Sequence, residues 1–234
     1  MEDFMLDERL SSVLEYIRGP VLLDIGSDHA YLPITALKEK IIESAICGEV
    51  VEGPYRASKK NVAAYGYAQV IDVRLGDGLS VVYSNDEIDT VTICGMGGPL
   101  IASILDAGLK EMKIRPRLVL QANTYTYPVR RVLKNYGYKI VDEKIIKDKH
   151  HFYEVIVADY EEAMGVNYSQ KELIYGPFLL ERRDTVFIEK LTRELEHQTR
   201  ILDGIKDNPS QAQKAQEIEA QIHELKGVIE YEGQ

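Results

Sequence analysis

The stretch from Val21 to Pro33, VLLDIGSDHAYLP, decides how the rest of the chain is read. Val21, Leu22 and Leu23 read as a buried apolar strand that ends on an acid, Asp24, and breaks at once into a turn holding Gly26, Ser27 and Asp28. Pro33 has the fixed φ that suits a first helical turn, so a helix is expected from Pro33 through Ile34, Ala36 and Leu37. In an open α/β sheet, the carboxyl end of the first strand is where a ligand meets bare backbone N–H groups and a helix N-terminus. This turn is therefore the first place to seek a cofactor.

The same pattern repeats downstream. A second strand from Ser44 to Val50 carries the acid Glu49 at its end, and a helix from Tyr55 to Tyr65 follows. The third strand, Val70 to Leu75, runs into Gly76, Asp77 and Gly78, and the fourth, Ile88 to Cys94, opens onto Gly95, Met96, Gly97 and Gly98. Glycines there let backbone approach a ligand closely. Alternating strands and helices imply right-handed crossovers and a parallel sheet, which stacks these strand ends along one rim. A fifth strand, Arg117 to Gln121, leads into Ala122, Asn123 and Thr124. Two more, Lys139 to Ile146 and Phe152 to Asp159, have no helix between them. Seven strands whose last two form an antiparallel pair describe a methyltransferase-like sheet better than a dinucleotide dehydrogenase.

An opening helix is expected over Leu6 to Ile17, with Leu6, Leu10, Val13, Leu14 and Ile17 on one stripe. At the other end, Phe187, Leu191, Leu195 and Leu202 mark one long amphipathic helix, and Ala215, Ile218, Ile222, Leu225 and Ile229 a second. Asp207 to Ser210 forms the turn between them, with Ser210 as the expected N-cap. The expected organisation is a ligand-binding α/β domain over 1–160 and a helical coiled-coil hairpin over 161–234. The hairpin is suited to self-association or to docking a partner.

With 45% apolar residues in 234, the chain can bury a sizeable core. Cys47 and Cys94 sit in strand-like runs with no CxxC spacing, which fits reduced, buried thiols. The opening MEDFMLDERL is acidic where a secretion signal is basic, and no apolar run approaches the roughly 20 residues that span a bilayer. A soluble, cytoplasmic protein with no membrane partner is expected. No metal site is expected either, since His150 and His151 have no carboxylate or cysteine ligand at a matching spacing.

The formal charge is −10, yet 110–151 carries eleven Lys and Arg against four Asp and Glu. One basic segment thus rides on an acidic body, which suits either a solvated edge or a phosphate-binding face. Arg130, Arg131 and Lys134 on one helix, Lys147 and Lys149 beside the last strands, and Arg9 on the opening helix are the candidates for contacting nucleic-acid phosphates. The hairpin has nine basic against fifteen acidic residues, so it can grip a polyanion only through a few side chains such as Arg182, Arg183 and Arg193.

The acids on successive strand ends suit a nucleoside. Asp24, Gly26, Ser27, Asp28 and His29 would meet one end of the ligand. Glu49, with Val50 beside it, would accept from two ribose hydroxyls, and Asp77 with Gly78 would take an adenine edge. Gly95, Met96 and Gly97 complete the expected cofactor site. A dinucleotide would want G-x-G-x-x-G after the first strand, but the turn here is G-S-D-H-A, whose Asp28 would repel a pyrophosphate. The cofactor is therefore expected to be an adenosyl group with an amino-acid tail, S-adenosyl-L-methionine.

DIGSDHAYLP, EVVEGPYRASKKN, RLGDGL, ICGMGGPLI and the Tyr153-Glu154 pair resemble the bacterial TrmK family, the tRNA adenine N1-methyltransferases that act on position 22 in the D-arm. The resemblance covers Leu6 to about Tyr160 and extends to the C-terminal hairpin. It implies a class I, Rossmann-like, seven-stranded methyltransferase sheet, S-adenosyl-L-methionine as donor, an adenine ring nitrogen as acceptor and tRNA as substrate. Gln121-Ala122-Asn123 departs from the family pattern, which has proline in the middle. His29 and Asn123 are the candidates for orienting the acceptor adenine, with Tyr31 or Tyr125 stacking on it. Two other readings stay open: a methyltransferase acting on another RNA or a small molecule, and a non-catalytic cofactor-binding adaptor that recruits a partner through the coiled coil.

Overall fold

The computed structural model of the chain describes residues 4–161 and 167–231. Among the described residues, β1 (Val21–Ile25), β2 (Ser44–Glu49), β3 (Ile71–Leu75), β4 (Thr90–Gly97), β5 (Arg117–Thr124), β6 (Tyr138–Asp148) and β7 (His151–Tyr160) form one sheet in the order β3-β2-β1-β4-β5-β7-β6. β1 to β5 are parallel, and β7 lies antiparallel between β5 and β6. The strand order reverses between β1 and β4, so the crevice outside their carboxyl ends is where an open sheet of this kind takes ligands.

Both faces of the sheet are covered, which is why the parallel strands read as continuous apolar runs rather than as alternations. Leu23, Val91, Ile93, Leu118 and Leu120 pack with Ile101 and Leu105 of α4 (Gly98–Leu109) and Val129 and Leu133 of α5 (Tyr127–Asn135). On the other face Leu22, Cys47 and Val119 pack with Val13 and Leu14 of α1 (Glu8–Leu14), Ile34 of α2 (Tyr31–Lys38) and Val62 of α3 (Glu52–Ala64). Leu22 and Leu23 are both 0% exposed on opposite faces, so truncating either to Ala is expected to cost about 2–5 kcal/mol. Burial pushes the thiols of Cys47 and Cys94 well up, which favours the protonated form of both.

Several boundaries move from their sequence-based positions for local reasons. α1 starts late because the Asp7 carboxylate accepts the Leu10 N–H at 2.8 Å, an N-cap ahead of Glu8. α2 begins at Tyr31, with Ala30 as a left-handed N-cap, so Pro33 falls within the first turn, where its missing N–H costs nothing. Beyond β7 come two short helices without a strong periodic signal, α6 (Gln170–Tyr175) and α7 (Pro177–Arg182). Ser169 caps α6 through a reciprocal box with Glu172.

The chain divides into compact units Met1–Glu181 and Arg182–Gln234, not at the 160/161 boundary expected from the sequence. The reason is a buried charge cluster. Arg130, 0% exposed, donates to Glu143 at 2.7 Å, Glu154 at 2.7 Å, Thr126 at 2.8 Å and the Ile174 carbonyl at 3.1 Å, while the Phe178 N–H donates to Glu143 at 3.0 Å. Gly176, at φ +91°, passes so close that a Cβ there would stand 2.6 Å from a Glu143 oxygen. The backbone of α6, and of α7 up to Glu181, thus belongs to the first unit.

In the second unit α8 (Thr185–Ile205) and α9 (Ala212–Ile229) pack against each other, with Ala215, Ile218, Leu225 and Val228 buried on α9. Arg183 at the head of α8 donates to the carbonyls of Val228 and Ile229, at 2.6 and 3.0 Å, which caps the end of α9 and makes the pair antiparallel. Ser210 is not the cap of α9. Asn208 instead caps a short 3-10 turn, Pro209–Gln211, that precedes the helix.

The two outer strands differ in how they are guarded. β3 is only five residues long, and its Arg74 bridges Asp72 at 2.7 Å and Asp86 at 2.6 Å. β6 has a register shift between Ile140 and Asp142, and Asp142 accepts from the hydroxyl of Tyr16, just past α1, at 2.8 Å.

Candidate active site

The turn after β1 has an unusual backbone. Gly26 (φ +68°) is followed by Asp28 (φ +36°), His29 (φ +73°) and Ala30 (φ +59°), three consecutive non-glycine residues in the left-handed region. Each costs on the order of 1–3 kcal/mol unless its surroundings hold it. They do so by hydrogen bonds: Gly26 N–H to the Gly48 carbonyl at 2.8 Å, Asp28 N–H to Glu49 Oε1 at 2.8 Å, and Asn61 Nδ2 to the His29 carbonyl at 3.0 Å. β2 and α3 therefore set the shape of a loop that belongs to β1.

Beneath the turn, Asp24 is buried and accepts from Ser27 Oγ and Thr92 Oγ1, both at 2.6 Å. Burial raises its carboxyl above the ordinary range, and the two hydroxyls only partly oppose that. Glu49 is likewise raised, chiefly by burial, with the Asp28 N–H pulling the other way. Its bonds to Asp28 N–H and to Ser58 Oγ (3.4 Å) both fall on Oε1, so Oε2 is not committed to either.

A cavity of about 530 Å³ opens over the ends of β1, β4 and β5. It brings together Asp24, Gly26, Ser27, Asp28, Gly95, Met96 and Asn123, seven of the cofactor and acceptor residues expected from the sequence, with Tyr31, expected to stack, and Arg9, expected at a phosphate, and adds Asp7 and Tyr153. Arg9 Nη1 donates to Gln121 Oε1 at 2.5 Å, and Gly95 N–H donates to the same oxygen at 2.9 Å. Gln121 Nε2 donates to Asn123 Oδ1 at 3.1 Å, and Asn123 Nδ2 donates to the Gly95 carbonyl at 2.8 Å. This ring fixes both the Asn123 amide and the Arg9 guanidinium, which also lies 5.8 Å from the Tyr153 ring centre.

Asp77 and Gly78 line a separate groove of about 700 Å³ between the β3 end and α4. His29, Glu49, Val50 and Gly97 line neither cavity. His29 does not face Asn123 across the cavity. Its ring stacks on Tyr31 with centroids 5.4 Å apart and its Nε2 sits 3.6 Å from Asp28 Oδ1. Sequence reasoning missed Gln121 and the inward turn of Arg9. A glutamine at the end of an apolar strand run, RLVLQ, was the available signal for the first. Nothing in the sequence pattern distinguishes Arg9 from a surface arginine.

The arrangement suits a zwitterion. Three carboxylates, Asp7, Asp24 and Asp28, face one guanidinium, and Arg9 is the sole Lys or Arg among the described residues that line the cavity. An ammonium has acids to meet and a carboxylate has a cation.

Comparison with known proteins identifies the family. The family model described as TrmK, tRNA (adenine(22)-N(1))-methyltransferase, matches residues 22–227. The chain belongs to the TrmK family. A tRNA (adenine(22)-N(1))-methyltransferase of Bacillus subtilis (strain 168) is 40% identical over 99% of this chain and all of its own length. A Streptococcus agalactiae protein of the NADB-Rossmann superfamily is 42% identical, with a TM-score of 0.90 over 97% of this chain and 98% of its own. A Streptococcus pneumoniae protein crystallised in complex with S-adenosyl-L-methionine is 37% identical, with a TM-score of 0.86 over 96% of this chain and all of its own.

For a TrmK-family chain, the expected phosphate contacts need revision. Arg130 is sealed inside the charge cluster described above and cannot reach a phosphate. Arg9 is committed to Gln121, and to Asp7 at 3.2 Å, within the cavity. Lys134 is half-buried, its ammonium 3.4 Å from the Tyr168 carbonyl. Arg131, Lys147 and Lys149 are exposed, the last two at the tip of the β6–β7 hairpin. In the hairpin helices, Arg183 is spent on capping α9, and Arg193 pairs with Glu189 at 2.6 Å. Among the described residues no group of His, Cys, Asp and Glu is placed to hold a metal ion, and no helix is long and apolar enough to cross a membrane.

Proposed function

We propose that this chain methylates N1 of adenine 22 in tRNA with S-adenosyl-L-methionine as donor, which places its work in the cytoplasm. The observation that carries the reading is that Arg9 lines one cavity with Asp24 and Asp28 at the β1 and β4 ends. That charge pattern complements an amino-acid tail. The Bacillus subtilis relative, named for this reaction, and the Streptococcus pneumoniae complex with the donor support it.

When bound, S-adenosyl-L-methionine supplies an electrophilic methyl group on a sulfonium. Arg9 would hold its carboxylate, the carboxylates of Asp24 and Asp28 its ammonium, Glu49 Oε2 its ribose hydroxyls, and Asp77 with Gly78 its adenine edge. Asn123, locked by Gln121 and the Gly95 carbonyl, would present its amide to the acceptor adenine. N1 of neutral adenine already has an in-plane lone pair, so no general base is needed to create the nucleophile. Alignment and exclusion of water supply the acceleration. The acceptor edge is paired or stacked in a folded D-arm, so the base must leave the stack to react.

Incubating unmodified tRNA transcript with the chain and the methyl donor should add one methyl, and reverse transcription should then stop at adenine 22. No transfer to any tRNA would refute the reading. Arg9→Ala should weaken S-adenosyl-L-methionine binding by about 10- to 150-fold, the loss expected for a charge-assisted bond of about 1.5–3 kcal/mol, and leave decarboxylated S-adenosylmethionine unaffected. Equal loss for both ligands would remove Arg9 from the carboxylate role.

A further inference from the structure

The β5–α5 connection holds a second strained position, and its side chain is largely exposed. Tyr125 sits at φ +51° with its residue 63% exposed. A bulky side chain in the left-handed region costs on the order of 1–3 kcal/mol, and here no burial offsets that cost. The conformation is nonetheless held from both sides. Asn123, two residues earlier, is tied to Gly95, and the next residue, Thr126, is buried, donating to Glu154 at 2.8 Å and accepting from Arg130 at 2.8 Å. Gly98, the first residue of α4, lets the loop pass: a Cβ there would stand 1.9 Å from the Tyr125 carbonyl oxygen. The fold thus holds an exposed phenol ring outward on rigid backbone next to Asn123.

The surroundings of the ring extend the same surface. Tyr127 lies 6.3 Å away at 38°, its hydroxyl accepts from Gln170 at 3.2 Å, and the exposed Arg131 guanidinium stands 5.7 Å from its ring centre. Aromatic faces beside a guanidinium are what an unstacked base and its phosphate require. Tyr31 lines the cavity itself, with its ring against Phe4 at 4.2 Å and His29 at 5.4 Å.

The geometry points to Tyr125 as the stacking platform for the adenine that leaves the RNA helix, with Arg131 taking the adjoining phosphate. This assignment rests on the methyltransferase reading above and adds the residue that receives the displaced base. The platform tolerates any purine face, and the choice of base falls to the groups around Asn123.

The test compares Tyr125→Ala, Tyr125→Gly and Tyr125→Phe in the full chain, with S-adenosyl-L-methionine affinity, tRNA methylation kinetics and melting temperature measured for each. Base–aromatic stacking is worth about 1–3 kcal/mol per base, so Ala and Gly should each lower kcat/KM for tRNA by roughly 5- to 150-fold. Donor affinity should stay within about twofold of wild type. Tyr125→Phe should recover to within about threefold of wild type, and Tyr125→Gly should melt above wild type because it relieves the positive φ. Higher stability with lower activity is the signature a purely structural tyrosine would not give. Wild-type kinetics in both Ala and Gly, with wild-type tRNA methylation intact, would overturn the assignment and leave the methyltransferase reading standing. A wild-type chain that binds the donor yet methylates no tRNA would overturn both.

Discussion

The left and right halves of the rim use buried carboxylates in opposite ways. Under the β1 turn, Asp24 and Glu49 are buried with hydroxyl and N–H partners but no cation of their own. At the β5–β7 corner, Glu143 and Glu154 close around Arg130 and the two short helices that follow β7. The left half keeps acceptors and charge available to a ligand. The right half consumes its acceptors internally and makes rigid backbone for Asn123 and Tyr125. A buried acid is thus informative about function only once its partner is known.

The largest effect should come from the right half. Arg130→Ala leaves two carboxylates buried without their cation and should cost about 3–5 kcal/mol in denaturant unfolding. Replacing Arg130, Glu143 and Glu154 together by apolar residues of similar volume should recover most of that. If the single variant is as stable as wild type, the cluster does not hold the corner. The left half should show a smaller effect of opposite sign.

Burial raises the Asp24 carboxyl, so its contribution to stability is full below the ordinary carboxylate range and is lost as pH rises through the raised value. Asp24→Asn removes that loss. The variant should melt higher than wild type near neutral pH, with the gap closing as pH falls, and should bind S-adenosyl-L-methionine more weakly. Parallel melting curves for the two proteins across pH would contradict this. Asp86, held below the ordinary range by Arg74, runs the other way and loses its contribution as pH falls through the lowered value.

The smallest effect on stability belongs to the exposed cations. Arg131→Ala and Lys149→Ala should each stay within about 0.5 kcal/mol of wild type. Each should weaken tRNA binding and lower the salt slope of the affinity by about one for every phosphate contact removed. An unchanged slope in both would move the RNA face elsewhere.

Arg130 and Arg131 also show how far the sequence could be read. Both sit in one basic stretch, and charge counting treats them alike, yet neighbours on a helix point about 100° apart, and one turns into the core while the other faces water. The seven strands, the helices alternating with the first five and the acids at the strand ends were legible because period and turn chemistry are local. The 181/182 boundary was not, because it depends on Arg130 reaching the carbonyl of Ile174 across a long stretch of sequence. His29 was assigned by its residue type, and its contacts to Asp28 and Tyr31 depend on the folded turn. Gln121 organises Arg9, Gly95 and Asn123 only after β4 and β5 lie side by side.

The guarded edges of the sheet bear on a different hazard. An outer strand with free N–H and C=O groups is a template on which another chain can extend the ladder, the first step towards aggregation. β3 answers with brevity and with Arg74 drawn between two aspartates, and β6 with a break in register and the Tyr16 hydroxyl bound at that break. A sheet this apolar can therefore be made at high concentration in a cell without offering its rims for strand addition.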